Sequence, residues 1–356
     1  MTLKPYRKGL LPLSGDPITW GHLDLVQRAS LQCDHLLIAV LGNPNKKGGY
    51  VFGSGERVGH LKRALEDFFP ETDASVICSE EGMVDMFLTQ GCDVVFRGVR
   101  DEQDREYEDQ QLFYHEMVLP GITEKTVILE ADPSLKYVQS TVARNFAVKH
   151  LDASKLVPMF VQARLWRRIH KQQIIGVTGE PGVGKTTLIN ATLEALRENN
   201  LPAHHIVLED EVHHLLQRDR PGVRVLRELL KEKVPTGESL PKNTRNLFFG
   251  HLGREYRGEL KGRSGVILVE YPYLAEDGLL HWVNNNVIVV TRPGCELTVP
   301  MRDMGGSWGA EEKLKVCLEN AEKDKYGLVF KFEHEENDFK KGLGGVIVAK
   351  VRSGEM

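Results

Sequence analysis

The sequence predicts an α/β protein made of two tandem doubly wound parallel-sheet domains. Three observations carry this expectation. Through the first 160 residues, short apolar runs alternate with helical patterns. A fresh strand, glycine-rich loop and helix begin at Gln172. At 356 residues the chain is also longer than one compact domain comfortably accommodates. The boundaries follow as 1–160 for the first domain, 161–171 for a basic helical linker, and 172–356 for the second domain.

In the first domain LLIAVL (36–41), SVIC (75–78), DVVFRG (93–98) and TVILEA (126–131) are continuous apolar runs. Continuity without alternation marks parallel strands covered on both faces. Between them GHLDLVQRASL, GERVGHLKRALEDFF and MVDMFLTQG place apolar residues at helical spacing. Strand and helix in alternation, joined by short Gly, Asn and Pro links, give a doubly wound domain. VQARLWRRIHKQQ (161–173) is basic and helical and reads as the join. Its Trp166 lies among arginines, as in a solvated helix that packs its tryptophan. In the second domain QQIIGVTGEPGVGKTTLINATLEAL restarts the pattern. Strands are then expected at HIVLE (205–209), GVILVE (265–270) and NVIVVT (286–291). Further on, LKVCLENAEKDK reads as a helix, LVFKFEH (328–334) as a strand, and GGVIVAKV (344–351) as a last strand.

Composition excludes several classes. The residues are 41% hydrophobic and 27% charged, as in an ordinary globular protein, and the formal net charge of −4 offers no basic field for nucleic acid or an anionic membrane. No apolar run reaches the roughly 18 residues of a membrane span, and the first 15 residues lack a signal-peptide core. Cys33, Cys78, Cys92, Cys295 and Cys317 are odd in number and without CxxC spacing. They read as reduced thiols of a cytoplasmic protein. His204, His205, His213 and His214 stand near Glu209 and Asp210 but read as solvated polar positions, not zinc ligands.

Gly179-Glu180-Pro181-Gly182-Val183-Gly184-Lys185-Thr186 satisfies G-x-x-x-x-G-K-[ST] between a strand and a helix. Its glycines let backbone N–H groups curl around a phosphate. Lys185 bridges phosphates, and Thr186, followed by Thr187, offers a hydroxyl to Mg²⁺. A kinase also needs a base and a carboxylate near the metal. Asp210, ending HIVLED, and Glu270, ending GVILVE, are the candidates at the ligand-binding edge of the sheet. No NKxD-type guanine reader is present, which favours a kinase over a GTPase.

Over roughly residues 172–310 the second domain resembles dephospho-coenzyme A kinase. Asp210 matches the acid after that family's second strand. Glu270-Tyr-Pro272-Tyr-Leu274-Ala-Glu276 matches its DxPLLFE-like segment, and Arg302-Asp303 its Arg-Asp pair. The resemblance implies Asp210 as base, Lys185 and Thr186 on ATP–Mg²⁺, and Arg302 as a lid contact. Leu208 stands where the family has the first acid of a pair, and the arginine-bearing lid is not recognisable in ENAEKDKYG.

The first domain carries a second phosphate-type loop, SGDPITWGH (14–22). A histidine at a helix start, after a proline turn and a glycine, can donate to a phosphate; a plain helix cap is the alternative. NPNKK (43–47) places Lys46 after a strand. VVFRGVRDEQDREYEDQQ (94–111) places Arg97 and Arg100 after another strand, with Tyr107 and Glu108 on the next helix. YVQSTVAR (137–144) offers Ser140 and Thr141 at a helix start. All fall on one edge of the inferred sheet. Over roughly residues 8–163 these stretches resemble phosphopantetheine adenylyltransferase: Thr19-Trp20-Gly21-His22, Asn45-Lys46-Lys47, Arg97-Gly98-Val99-Arg100 and Gln139-Ser140-Thr141 match its elements. Ser14 stands for the family's threonine, Gly15 for a phenylalanine and Trp20 for an asparagine.

This resemblance implies attack of the 4′-phosphate of phosphopantetheine on the α-phosphorus of ATP. His22 and Ser14 would touch the reacting phosphates, Lys46 the transition-state oxygens, and Arg97 the acceptor phosphate. Arg100, Glu108, Ser140 and Thr141 would hold ATP, and the backbone of Met83 would line the pantetheine channel. The product, dephospho-coenzyme A, is the substrate implied for the second domain. The chain is therefore expected to be a bifunctional coenzyme A synthase acting on small molecules, with no nucleic-acid or membrane partner and with possible homo-oligomers. Two alternatives stand beside it. One is a nicotinamide-mononucleotide adenylyltransferase fused to a ribosylnicotinamide kinase, disfavoured by NPNKK and FRGVR. The other is an adenylyltransferase with a non-catalytic nucleotide-binding P-loop domain.

Overall fold

A computed structural model describes residues 4–42, 49–231, 242–291, 310–325, 327–333 and 343–353. The chain divides into two compact units, residues 1–146 with 153–161, and residues 147–152 with 162–356. Among the described residues no helix is long and apolar enough to cross a membrane.

The first unit contains, in chain order, β1 (Tyr6–Leu13), α1 (Trp20–Ser30), β2 (Cys33–Leu41), α2 (Ser54–Phe68), β3 (Ala74–Ser79), α3 (Met83–Thr89), β4 (Val94–Val99), α4 (Glu102–Val118) and β5 (Thr126–Glu130). α5 (Ser140–Val148) and α6 (Met159–His170) follow, and each runs from residues of the first unit into residues of the second. The strands are parallel in the order β3-β2-β1-β4-β5. The chain thus winds outward from β1 in one direction, then returns to lay β4 against β1's other edge. Crossover connections diverge between β1 and β4, and a crevice opens there at the strands' carboxyl ends. Leu10, Leu37, Ala39 and Val95 on one sheet face pack with Met83, Met86 and Phe87 of α3. Gly9 is required at the centre of β1, because a Cβ there would stand 2.4 Å from the Phe96 ring.

The second unit contains β6 (Gln172–Gly179), α7 (Lys185–Glu198), β7 (Ala203–Val207), α8 (Leu208–Gln217), α9 (Pro221–Lys231), α10 (Lys242–Leu260), β8 (Gly265–Glu270), β9 (Val287–Thr291), α11 (Ala310–Lys323), β10 (Val329–Glu333) and α12 (Leu343–Ser353). Its parallel order β10-β9-β6-β8-β7 puts β6 in the middle, so the loop after Gly179 leaves from the centre of the sheet. Leu188, Ile189 and Leu196 of α7 pack against Ile175, Val177, Leu268 and Ile288.

Three elements depart from expectation. β1 was not among the expected strands. The strand expected at 205–209 ends at Val207, and Leu208-Glu209-Asp210 open α8 instead. Glu209, Asp210 and Glu211 occupy that helix's first turn, where carboxylates complement the helix dipole. The last strand expected at 344–351 is a helix, α12. Its burial runs in pairs, with Gly345 and Val346 exposed and Ile347 and Val348 buried, which is not the alternation of a strand. Ile347 and Val348 join the core of the second sheet, worth roughly 1.5–3 kcal/mol each, and that outweighs the β propensity of a short VIV run.

Candidate active site

A cleft of about 670 Å³ opens in the first unit at the switch point of its sheet. The ends of β1 and β4 form its floor, the starts of α1 and α5 one wall, and α4 the other. Seven of the expected residues line it: Ser14, His22, Arg97, Arg100, Glu108, Ser140 and Thr141. Met83 does not line it. That side chain is 6% exposed and packs in the core beneath α3. Lys46 and Arg302 lie outside the described residues.

The loop from Ser14 to Trp20 is held at several points. The buried Asp16 carboxylate accepts from the backbone N–H groups of Val51 (3.1 Å) and Phe52 (2.9 Å). Arg144 of α5 donates to the Asp16 carbonyl and lies 3.5 Å from its carboxylate. Ser140 Oγ donates to the Pro17 carbonyl at 2.8 Å, and the Arg144 guanidinium donates to Thr141 Oγ1 at 3.1 Å. The Trp20 indole N–H donates to the Ser154 carbonyl at 2.9 Å, so the tryptophan has a structural task of its own.

Thr19 caps α1, and the cap sets the histidine. The His22 N–H donates to Thr19 Oγ1 at 3.4 Å, and the Thr19 N–H donates back to His22 Nδ1 at 3.1 Å. A ring nitrogen that accepts an amide N–H carries no proton itself, so the neutral imidazole is protonated at Nε2. No acidic residue occupies the first turn of α1. The N-terminal backbone donors, the helix dipole and an imidazole N–H together suit an anion.

The cationic side chains of the cleft are paired. The Nε and one terminal nitrogen of Arg97 each lie 2.6 Å from a carboxylate oxygen of Glu108. Arg100 grips Asp104 in the same two-pronged way, at 2.6 and 2.8 Å, and that bond raises the guanidinium's pKa further. Sequence reasoning gave Arg97 and Glu108 to different ligands; the structure places them on each other. It also passed over Asp16, Asp104 and Arg144. Asp104 had a legible signal, four residues after Arg100 at a helix start. Three arginines facing three carboxylates, Arg97 with Glu108, Arg100 with Asp104 and Arg144 with Asp16, keep this cleft close to neutral among the described residues.

In the second unit the GEPGVGKT loop leaves β6 through Gly179, where a Cβ would stand 2.4 Å from the Val290 carbonyl oxygen. Gly182 and Gly184 adopt left-handed φ of 79° and 97°. Lys185 folds back, its Nζ 2.9 Å from the Glu180 carbonyl and 3.3 Å from that of Gly179. Burial lowers its pKa, against the opposing charges of Glu270 and Glu209. Thr186 Oγ1 donates to Glu270 Oε1 at 2.8 Å, and His205 Nε2 lies 3.0 Å from Oε2. Burial pushes the Glu270 carboxyl up, but the bonds from His205 and Thr186 outweigh it and leave the pKa below its ordinary value. A hydroxyl and a carboxylate held together are oxygen donors of the kind a hard divalent cation takes. Thr187 is exposed in the first turn of α7. Asp210 is exposed in the first turn of α8, whereas the half-buried Glu209 acts electrostatically on Lys185 and Tyr271.

Residues 14–146 match the cytidylyltransferase-like family. The phosphopantetheine adenylyltransferase of Streptococcus suis is 37% identical over 165 residues, 46% of this chain and 97% of that protein. That of Petrotoga mobilis is 33% identical over 167 residues, 47% of this chain and 98% of the relative. Among solved structures, a NadR protein in complex with NR covers 99% of this chain and 96% of its own, at 14% identity and a TM-score of 0.35, values too low to carry an argument. The adenylyltransferases are thus spanned nearly end to end by less than half of this sequence, and through that part the chain belongs to the phosphopantetheine adenylyltransferase family of cytidylyltransferase-like proteins.

Proposed function

We propose that the chain catalyses the last two steps of coenzyme A synthesis, with residues 1–160 adenylylating 4′-phosphopantetheine and residues 172–356 phosphorylating the product, joined by 161–171. The observation that carries the first step is the convergence of Ser14, His22, Arg97 and Arg100 on one switch-point cleft inside the matched residues. A 4′-phosphate oxygen attacks the α-phosphorus of ATP in line, a new P–O bond forms, and the bond to the β-phosphate breaks to release pyrophosphate. The nucleophile is already anionic, so the protein's task is positioning and charge neutralisation. His22 Nε2–H donates to the oxygens of the reacting phosphates, and Arg97 and Arg100 leave their carboxylates for phosphates. Ser140 and Thr141 meet ATP from the start of α5, and Lys46 completes the charge at the α-phosphate.

The second step is supported by the Gly179–Thr186 loop and the Thr186–Glu270 pair. Lys185 turns from its loop carbonyls to the ATP phosphates, Thr186 and Glu270 would hold a Mg²⁺ that neutralises phosphate charge, and an acid at the start of α8 accepts the ribose 3′-hydroxyl proton. Asp210 and Glu209 are the two acids to test there, and Arg302 is a lid candidate. Self-association is supported by α4, which exposes Phe113 (64%), Met117 (71%) and Val118 (67%) while burying only Glu108.

The test is product analysis with 4′-phosphopantetheine, ATP and Mg²⁺. Coenzyme A from the wild type, and dephospho-coenzyme A alone from Lys185→Ala, supports both steps. Dephospho-coenzyme A from both proteins removes the kinase assignment and leaves the first.

A further inference from the structure

On α2, Arg57 shares the inward face with Leu61 and Ala64, at the spacing where a helix puts apolar side chains. Arg57 is nevertheless 4% exposed, and its charge meets no carboxylate within 4 Å among the described residues. One terminal nitrogen donates to the Ser14 carbonyl at 2.6 Å and to the Leu41 carbonyl at 3.4 Å. The guanidinium carbon lies 4.1 Å from the centre of the Tyr50 ring, and Nε has no hydrogen-bond partner. A buried cation held only by carbonyl dipoles and a ring is costly. A methionine would fill the same space without that cost, so packing does not account for the arginine.

Its two carbonyl partners do. Ser14 follows β1 and lines the cleft, and Leu41 ends β2, the neighbouring parallel strand, five residues before Lys46. We infer that Arg57 is a positioning residue of the adenylyl-transfer cleft, fastening the strand end that carries Ser14 to the neighbouring end of β2 at Leu41. It touches no substrate. Through the Ser14 carbonyl it sets where the Ser14 hydroxyl stands when the five-coordinate phosphorus forms, and a displacement of about 1 Å at such a group costs roughly 100-fold in rate. The inference rests on the cleft being the adenylyl-transfer site.

The experiment compares wild type, Arg57→Met and Arg57→Lys in pyrophosphate release from ATP and 4′-phosphopantetheine, with thermal melting beside it. Arg57→Met is expected to lose roughly 100-fold in kcat, with both KM values within about threefold and an unlowered Tm; Arg57→Lys should recover about a tenth of the wild-type rate. A kcat for Arg57→Met within threefold of wild type overturns the inference. So does a rate loss that comes with a fallen Tm or failure to fold and no recovery in Arg57→Lys, because that makes Arg57 a support of the fold. A wild type that releases no pyrophosphate overturns the reading of the cleft, and this inference with it.

Discussion

Glu108→Gln removes the carboxylate that holds Arg97 and changes little else in volume. In the native cleft the pair is bidentate at 2.6 Å, with side-chain exposures of 19% for Arg97 and 10% for Glu108. Two unit charges about 4 Å apart attract by about 4 kcal/mol at an effective dielectric near 20, before desolvation is subtracted. Removing one partner of a fully buried pair costs about 3–5 kcal/mol, and the open cleft reduces this to about 2–3 because Arg97 recovers some water. The glutamine keeps one acceptor, so the net loss is about 1–2 kcal/mol, or roughly 3–6 °C in Tm for a unit of this size. Calorimetry with and without pyrophosphate is the assay. Glu108→Gln should melt lower than wild type and gain more from pyrophosphate, since its Arg97 already seeks an anion. A Tm within about 1 °C of wild type, and the same pyrophosphate shift in both proteins, would refute the idea that Arg97 exchanges Glu108 for phosphate.

Thr19→Val removes the cap of α1 and one of the groups against His22 Nδ1; about 1 kcal/mol of stability and most of the pyrophosphate-release activity should go with it, measured by urea unfolding and steady-state kinetics. Two buried groups of the second unit give opposite slopes of stability with pH. Burial raises the Asp277 carboxyl to about 6, against the bond from Tyr271 and the charge of Arg245, so its contribution falls as pH rises from about 4 to 6. Burial, followed by the charge of the stacked His170, lowers His150 to about 4, so its contribution is present above about 6.5 and is lost as pH falls toward 4. Asp277→Asn should therefore make stability climb more steeply from pH 4 to 6.5 and His150→Gln should flatten or reverse it; identical profiles in both variants and wild type contradict the assignment. Glu270→Gln should weaken the Mg²⁺ dependence of nucleotide binding, read by calorimetric titration with ATP at several Mg²⁺ concentrations, and an unchanged dependence would take Glu270 off the metal. Phe113→Glu with Met117→Glu should reduce the sedimenting mass if α4 mediates self-association; an unchanged mass places the contact elsewhere.

Four strands of the first sheet were legible because parallel strands covered on both faces are continuous apolar runs. β1 was not, since Tyr6-Arg7-Lys8 hides a strand whose buried part is only Gly9 to Pro12. The helix at 343–353 shows the limit of short β-branched runs, whose period is unreadable until a neighbouring sheet chooses a face. At α8 the signal was present and misread: three consecutive acids suit a helix start better than a strand end. Site residues were findable where chemistry and strand ends coincide, as at Arg97, Arg100 and Lys185. The long-range pairings among them were not. Glu108 meets Arg97 across a strand and a helix, and Arg57 reaches Ser14 from 43 residues away. Those distances are closed by tertiary packing, which leaves no local pattern.

Adenylyl transfer to a pantetheine phosphate is the reaction proposed for the first cleft. Pyrophosphate release from ATP should be measured with 4′-phosphopantetheine or nicotinamide mononucleotide as acceptor, for wild type and His22→Ala. Release with 4′-phosphopantetheine alone, lost in His22→Ala, is the expected result. Release only with nicotinamide mononucleotide, or a His22→Ala protein as active as wild type, would contradict it.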